Sequence, residues 1–251
     1  MLGRKVRNQC LFVHINNVIC KNRNFSGKLY MANPNLTGPH HPPANGRSAR
    51  KLVIFLHGLG ADGDDLIDIA PHWAEQLPDT EFVSPHAPYQ YDMAPQGRQW
   101  FSIKEYTAKE MLAGARGTAP ILLDFIEQEL QRTGLTPDKL ALVGFSQGTM
   151  MGLFVALRCG QPLAGVLGYS GRMIEAGSEE NGLKSRPPIL LVHGDSDDLI
   201  PASAMLETTQ YLASLEVPAQ WHICSNLGHG IDQVGLGIGV RFLQDCFTGV
   251  G

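Results

Sequence analysis

The sequence predicts an α/β fold: a mainly parallel central sheet flanked by helices on both faces. Two observations predict it. From Lys51 onward, short β-rich runs alternate with helical stretches, which is the pattern of parallel strands joined by crossover helices. The stretch "QGTMMGLFVALRCG" (147–160) is nearly all apolar, as expected of a helix buried within such an assembly.

Residues 1–50 differ from the rest. They are rich in Asn, Pro and His, show no lasting periodicity, and read as a flexible leader ahead of one domain spanning 51–251. Met31 offers an alternative start, which would make 1–30 an upstream extension outside the native protein. "LVIFLH" (52–57) reads as a buried strand, and "DDLIDIAPHWAEQL" (64–77) as one helix tolerating Pro71 near its first turns. "TEFVSP" (80–85) is a second strand, followed by a long loop (86–103). In the helix expected around 107–132, Ile121, Leu122, Phe125, Ile126 and Leu130 recur at helical spacing. Strands follow at 139–145, 164–170, 188–194 and 219–224, with helices at 147–160, 202–215 and 231–247. No internal repeat is visible.

Composition narrows the function classes. At 251 residues, 43% hydrophobic and 18% charged, the chain can bury a sizeable core. Net charge is -4, but the first 30 residues hold six of the 20 basic side chains and no acid. The remaining body is therefore strongly acidic, which argues against nucleic acid or an anionic membrane as partner. Five cysteines (Cys10, Cys20, Cys159, Cys224, Cys246) form no C-x-x-C pair and leave one unmatched, so a reducing cytoplasm is the expected location. No apolar run approaches the roughly 18 residues of a spanning helix, so stable membrane insertion is not expected. "CLFVHINNVIC" is broken by His14, Asn16 and Asn17 and does not read as a signal peptide.

"HGLGADGDDL" (57–66) carries Gly58-x-Gly60-x-x-Gly63 between a strand and a helical stretch. That pattern suits either a dinucleotide pyrophosphate or the oxyanion loop of a hydrolase. Asp62, Asp64 and Asp65 stand where the phosphates would lie. Such acids favour the helix dipole but repel a pyrophosphate. Asp79 and Glu81 stand near the spacing of a ribose-binding acid, yet the carboxylates outweigh them.

The hydrolase reading finds its partners downstream. Gly144-Phe145-Ser146-Gln147-Gly148 is G-x-S-x-G between a strand and a helix, the pattern of a nucleophile elbow. The plain alternative is a Gly-rich helix start that Ser146 merely caps. A serine nucleophile needs a base, and the base an orienting carboxylate. Asp195, Asp197 and Asp198 follow one strand, and His229 follows another in a glycine-flanked loop. The chain order Ser146, Asp197, His229 is that of the α/β-hydrolase triad. The spacing favours Asp197, with Asp198 in reserve and Asp195 anchoring the turn through backbone N–H groups. His57 and His193 end strands and read as structural or supporting histidines. Two oxyanion donors are required, and the backbone N–H groups of Leu59 and Gln147 are the candidates. No histidine pair has metal-ligand spacing such as H-E-x-x-H, and no metal is expected. "GLGIGV" (235–240) reads as close packing, not a cofactor loop.

Taken together, "LHGLGADGDDL", "GRQWFSI", "GFSQGTMM", "HGDSDDLIP" and "GHGID" resemble the phospholipase/carboxylesterase family of α/β-hydrolases, which includes acyl-protein thioesterases and small bacterial carboxylesterases. The likeness runs from about Lys51 to Phe247. It implies an α/β-hydrolase fold without a large lid, catalytic Ser146, Asp197 and His229, oxyanion donors Leu59 and Gln147, and no cofactor. It also implies that "GRQWFSI" borders the acyl groove, making Trp100 and Phe101 substrate contacts, with plain core packing as their other reading. Relatives often pair, so a homodimer is compatible with the resemblance.

The expected activity is a serine carboxylesterase acting on small, short- to medium-chain esters. A thioesterase or lysophospholipase for longer acyl chains is the alternative within the class. A catalytically inactive hydrolase scaffold that binds a ligand is the alternative outside it.

Overall fold

The computed structural model describes residues 33–174 and 183–249. In chain order the strands are β1 (His40–His41), β2 (Lys51–Leu56), β3 (Thr80–Val83), β4 (Tyr89–Gln90), β5 (Arg98–Gln99), β6 (Leu140–Phe145), β7 (Gly165–Tyr169), β8 (Ile189–Gly194) and β9 (Ala219–Cys224). The helices are α1 (Gly63–Ile67), α2 (Ala70–Trp73), α3 (Ala108–Thr133), α4 (Gln147–Ala156), α5 (Ala202–Ser214) and α6 (Gln233–Thr248). Seven strands form one sheet in the order β1-β3-β2-β6-β7-β8-β9. Every neighbouring pair from β3 to β9 is parallel, and β1 joins the edge antiparallel. This is the α/β-hydrolase architecture expected from the alternation of elements.

The strands are apolar throughout because each face of the sheet is covered. Successive side chains point to opposite faces. Leu52, Ile54 and Leu56 of β2 therefore join one core, with Leu140 and Leu142 of β6 and Ile189 and Leu191 of β8. Helices α3, α4 and α5 close that side. Val53, Phe55, Ala141, Val143, Leu190 and Val192 join the other, under α1, α2 and α6. All ten residues of α4 are buried, as its apolar sequence requires.

Helix α3 starts where Thr107 accepts the Glu110 N–H and stops at Gly134, whose φ of 70° a side chain would oppose. The single helix expected over 64–77 is two short ones. Pro71 has no N–H to offer Ile67, so α1 stops at Ile67 and α2 restarts at Ala70 with the proline in its first turn. The loop 86–103 contains the β4–β5 hairpin, which the sequence reading passes over.

The leader boundary also moves. In place of a flexible chain up to Arg50, residues from 33 on hold the sheet edge. Leu36 is buried in the α3–α4 core, Ser84 N–H donates to Pro39 O at 3.0 Å, and His86 N–H donates to Thr37 O at 2.8 Å. The stretch 1–32, with Met31, lies outside the described residues. Among the described residues no helix is long and apolar enough to cross a membrane.

Candidate active site

Parallel strands deliver their loops to one edge, and the candidate residues all lie there, just past the carboxyl ends of β2, β6, β8 and β9. Ser146 sits between β6 and α4 with φ 53° and ψ -115°, a conformation that costs energy for any residue but glycine. The surroundings hold it there. Ser146 N–H donates to Tyr169 O at 2.9 Å, and Met150 N–H to Ser146 O at 3.2 Å. The flanking glycines are steric necessities: a Cβ on Gly148 would lie 1.7 Å from Leu56 O, and one on Gly144 2.4 Å from Thr149 N. Ser146 makes no side-chain cap to α4, so capping does not account for it.

Asp197 and His229 arrive on two loops that are stitched together. Ser196 N–H donates to Leu227 O at 3.0 Å, and Asn226 N–H donates to Asp195 Oδ1 at 2.8 Å. Asp195 thus anchors the turn, as expected. Across this junction His229 Nδ1 lies 2.8 Å from Asp197 Oδ2. Asp197 Oδ1 accepts the N–H groups of Leu199 and Ile200 at 3.0 and 2.9 Å. Burial alone would raise the Asp197 pKa. Hydrogen bonds from Ile200 N–H and His229 outweigh it and hold the carboxyl below its ordinary value. Asp198 is exposed and makes no such bond to His229. The Phe145 ring lies against His229, centroids 5.0 Å apart.

A cleft of about 610 Å³ opens above these groups, lined by Leu59, Phe145, Ser146, Gln147 and His229 among others. Two residues lining it, Leu59 and Gln147, have backbone N–H groups without partners among the described residues. The next donor along, Gly60 N–H, is taken by Arg98 O at 2.9 Å, and Arg98 N–H returns to Ala61 O at 2.8 Å. The hairpin therefore fixes the glycine loop just beyond Leu59, which lines the cleft. A serine hydroxyl, an imidazole held by a carboxylate and two free N–H groups around one space are the parts that acyl transfer requires.

Trp100 and Phe101 do not border the cleft; both are buried, at 0% and 2% exposure. Their role is structural. Trp100 N–H donates to Gln147 Oε1 at 2.9 Å, Gln147 Nε2 donates to Phe101 O at 2.8 Å, and Trp100 Nε1 donates to His57 O at 2.9 Å. Sequence reasoning missed this clamp between the loop after β5 and the start of α4, and the polar Gln147 at the start of an otherwise apolar helix was its one signal. His57 is a second part of it. Its Nε2 accepts the Ala87 N–H at 3.0 Å, which leaves the proton on Nδ1 for Gly58 O at 2.8 Å.

Asp62, Asp64 and His86 bring possible metal ligands within 4.8 Å of one another. Local bonds already use an Asp62 oxygen and a His86 nitrogen. Asp62 Oδ1 caps α1 by accepting Asp64 and Asp65 N–H, and His86 Nδ1 accepts Gly63 N–H, which places the ring proton on the other nitrogen. The same cap puts a carboxylate where a dinucleotide phosphate would sit. Gly239 of "GLGIGV" lies against Tyr169, where a Cβ would come within 2.1 Å of the hydroxyl, so this run is close packing.

Known proteins agree with this architecture. A family model described as Phospholipase/Carboxylesterase matches residues 43–247. The crystal structure of esterase PE8 is 38% identical, covers 85% of this chain and all of its own, and superposes with a TM-score of 0.81. Acyl-protein thioesterase 1 of Gibberella zeae is 27% identical over 70% of this chain and 82% of its own length. A phospholipase/carboxylesterase from Dyadobacter fermentans shares the fold at 16% identity, covering 85% of this chain and 99% of its own with a TM-score of 0.66.

Proposed function

This chain belongs to the phospholipase/carboxylesterase family of hydrolases, and from that premise we propose that it is a serine carboxylesterase acting on short- to medium-chain esters. The observation that carries the reading is the His229–Asp197 pair opening onto the same cleft as Ser146. With Nδ1–H committed to the carboxylate, the neutral imidazole presents a lone pair at Nε2.

In the proposed cycle His229 Nε2 takes the Ser146 proton as Oγ attacks the ester carbonyl. The carbonyl oxygen becomes an anion facing the Leu59 and Gln147 N–H groups. When the intermediate collapses, His229 gives its proton to the departing alcohol, leaving an acyl-serine. Water then repeats the sequence: it loses a proton to His229, attacks the acyl carbon, and frees the acid and Ser146. The cleft of about 610 Å³ falls within the usual size of a small-molecule site and supports modest acyl groups. One observation favours a second reading. The likeness to acyl-protein thioesterase 1 supports a thioesterase or lysophospholipase acting on longer chains.

Hydrolysis of p-nitrophenyl esters from acetate to palmitate, by wild type and Ser146→Ala side by side, tests both. A short-chain optimum abolished in the variant is expected. A long-chain optimum selects the second reading, and an inert wild type removes both in favour of a binding scaffold.

A further inference from the structure

We propose that Arg172 binds a carboxylate on the substrate, so that the preferred esters carry a second, ionised acid group. The inference rests on the esterase reading of the cleft and deepens it.

Among the described residues Arg172 is the one lysine or arginine lining the cleft that holds Ser146 and His229. Its place is fixed by the backbone around it. It stands just beyond β7, after Ser170, whose N–H donates to Val192 O at 2.9 Å and whose hydroxyl donates to Gly230 O at 3.0 Å. On its other side Met173 N–H donates to Thr208 Oγ1 at 3.0 Å. Its backbone is therefore held between β8, the His229 loop and α5, and the residue is only partly exposed.

Among the described residues none holds the guanidinium through a hydrogen bond or ion pair. Its Nε is buried without a hydrogen-bond partner. Asp198 lines the same cleft, and the two form no ion pair. A buried N–H of a cation left without an acceptor is costly, and structural arginines normally find one. A carboxylate on a substrate in the cleft would give the guanidinium the acceptor that the described residues do not supply. The planar fork of a guanidinium accommodates the two oxygens of a carboxylate in parallel. A single cation with an acid nearby suits one negative charge better than the near-double charge of a phosphate monoester. Ile103, Met111, Met150 and Ile200 supply apolar wall for the carbon chain of such a substrate.

The test compares kcat/KM for matched charged and neutral esters: monoethyl glutarate against ethyl valerate, and 4-acetoxybenzoate against phenyl acetate. The first pair places the carboxylate on the acyl side and the second on the leaving group. In at least one pair the charged-to-neutral ratio is expected to fall about 10- to 100-fold in Arg172→Met, and less in Arg172→Lys. A ratio unmoved in both pairs overturns the proposal, while the neutral rates separately test the esterase reading. If the Met variant fails to fold, wild type decides. Free glutarate should inhibit turnover of the neutral ester, and less so as salt rises from about 0.05 to about 0.5 M. Absence of that inhibition, or stronger inhibition by inorganic phosphate, overturns the assignment of a carboxylate.

Discussion

His193 Nε2 lies 3.2 Å from Asp197 Oδ2, the same oxygen that faces His229. The same His193 nitrogen is 2.7 Å from Ile200 O, so it carries the proton and donates it across the turn. The carboxylate thus stands between two imidazoles, one facing the cleft and one buried at 1% exposure. His193 touches no reacting atom; it positions Asp197 and the Ile200 wall. Its replacement by Leu removes the His193 donor to Ile200 O and one neighbour of Oδ2. Stability is expected to drop by about 1–3 kcal/mol. The value of kcat is expected to fall about tenfold with KM little changed, because the base is held less firmly. Urea unfolding and steady-state kinetics of His193→Leu check both, and an unaltered kcat would reduce the residue to packing.

The choice between neighbouring acids is directly testable. Asp197→Asn preserves shape but turns a carboxylate acceptor into an amide that no longer selects the Nδ1–H tautomer of His229. A fall in kcat of about 10³- to 10⁴-fold is expected. Asp198→Asn alters an exposed side chain with no bond to His229 and should change kcat by less than about threefold on a neutral ester. The reverse ranking of the two variants would move the acid to Asp198.

Acid should loosen the glycine loop after β2 through His57. Burial, against a smaller opposing pull from the Gly58 carbonyl, pushes its pKa down from 6.5 to about 4. Above pH 6.5 both folded and unfolded forms are neutral, and the full stability is present. As pH falls, the unfolded chain takes up a proton that the folded one refuses, so stability is lost between about pH 6.5 and 4. The loss amounts to about 3 kcal/mol when the window has been crossed. Urea unfolding from pH 7.5 downward should show this slope, and His57→Gln should be less stable but flatter over the same window. Parallel curves for the two proteins would assign the acid sensitivity elsewhere.

Ser146, Asp197 and His229 could be singled out as candidates because each is bounded by local signals: a steric glycine pair, a strand end, and a glycine-flanked loop in the hydrolase chain order. The parallel sheet was legible from apolar runs that need cover on both faces. What escaped were pairings between distant segments. Nothing local links Gln147 to Trp100, so the resemblance left Trp100 and Phe101 between substrate contact and core packing, and the fold gives core packing. The two-residue β1 is too short to show a period, so 33–50 read as leader. Pro71 was tolerated on paper as a first-turn residue of one long helix. In the fold it is a first-turn residue of a separate, shorter helix.

The edge segment also reaches the site, and one glycine tests the connection. A Cβ on Gly38 would lie 2.1 Å from Ser84 O, backbone that cannot swing aside. Gly38→Ala must therefore push Thr37–Pro39 away from Ser84–His86, weakening the two backbone hydrogen bonds that join them. The next residue, Ala87, is the donor that holds His57. A loss of about 1–3 kcal/mol is expected, with a lowered melting temperature. Gly117→Ala is the matched control. That glycine lies on the exposed side of α3 with nothing within 4 Å of the added carbon, so the change should stabilise by about 0.5–1 kcal/mol through helix propensity. Opposite signs for the same chemical change would tie the stability of the domain to its edge segment. Equal and small effects would mean that residues 33–42 rest on the sheet without supporting it.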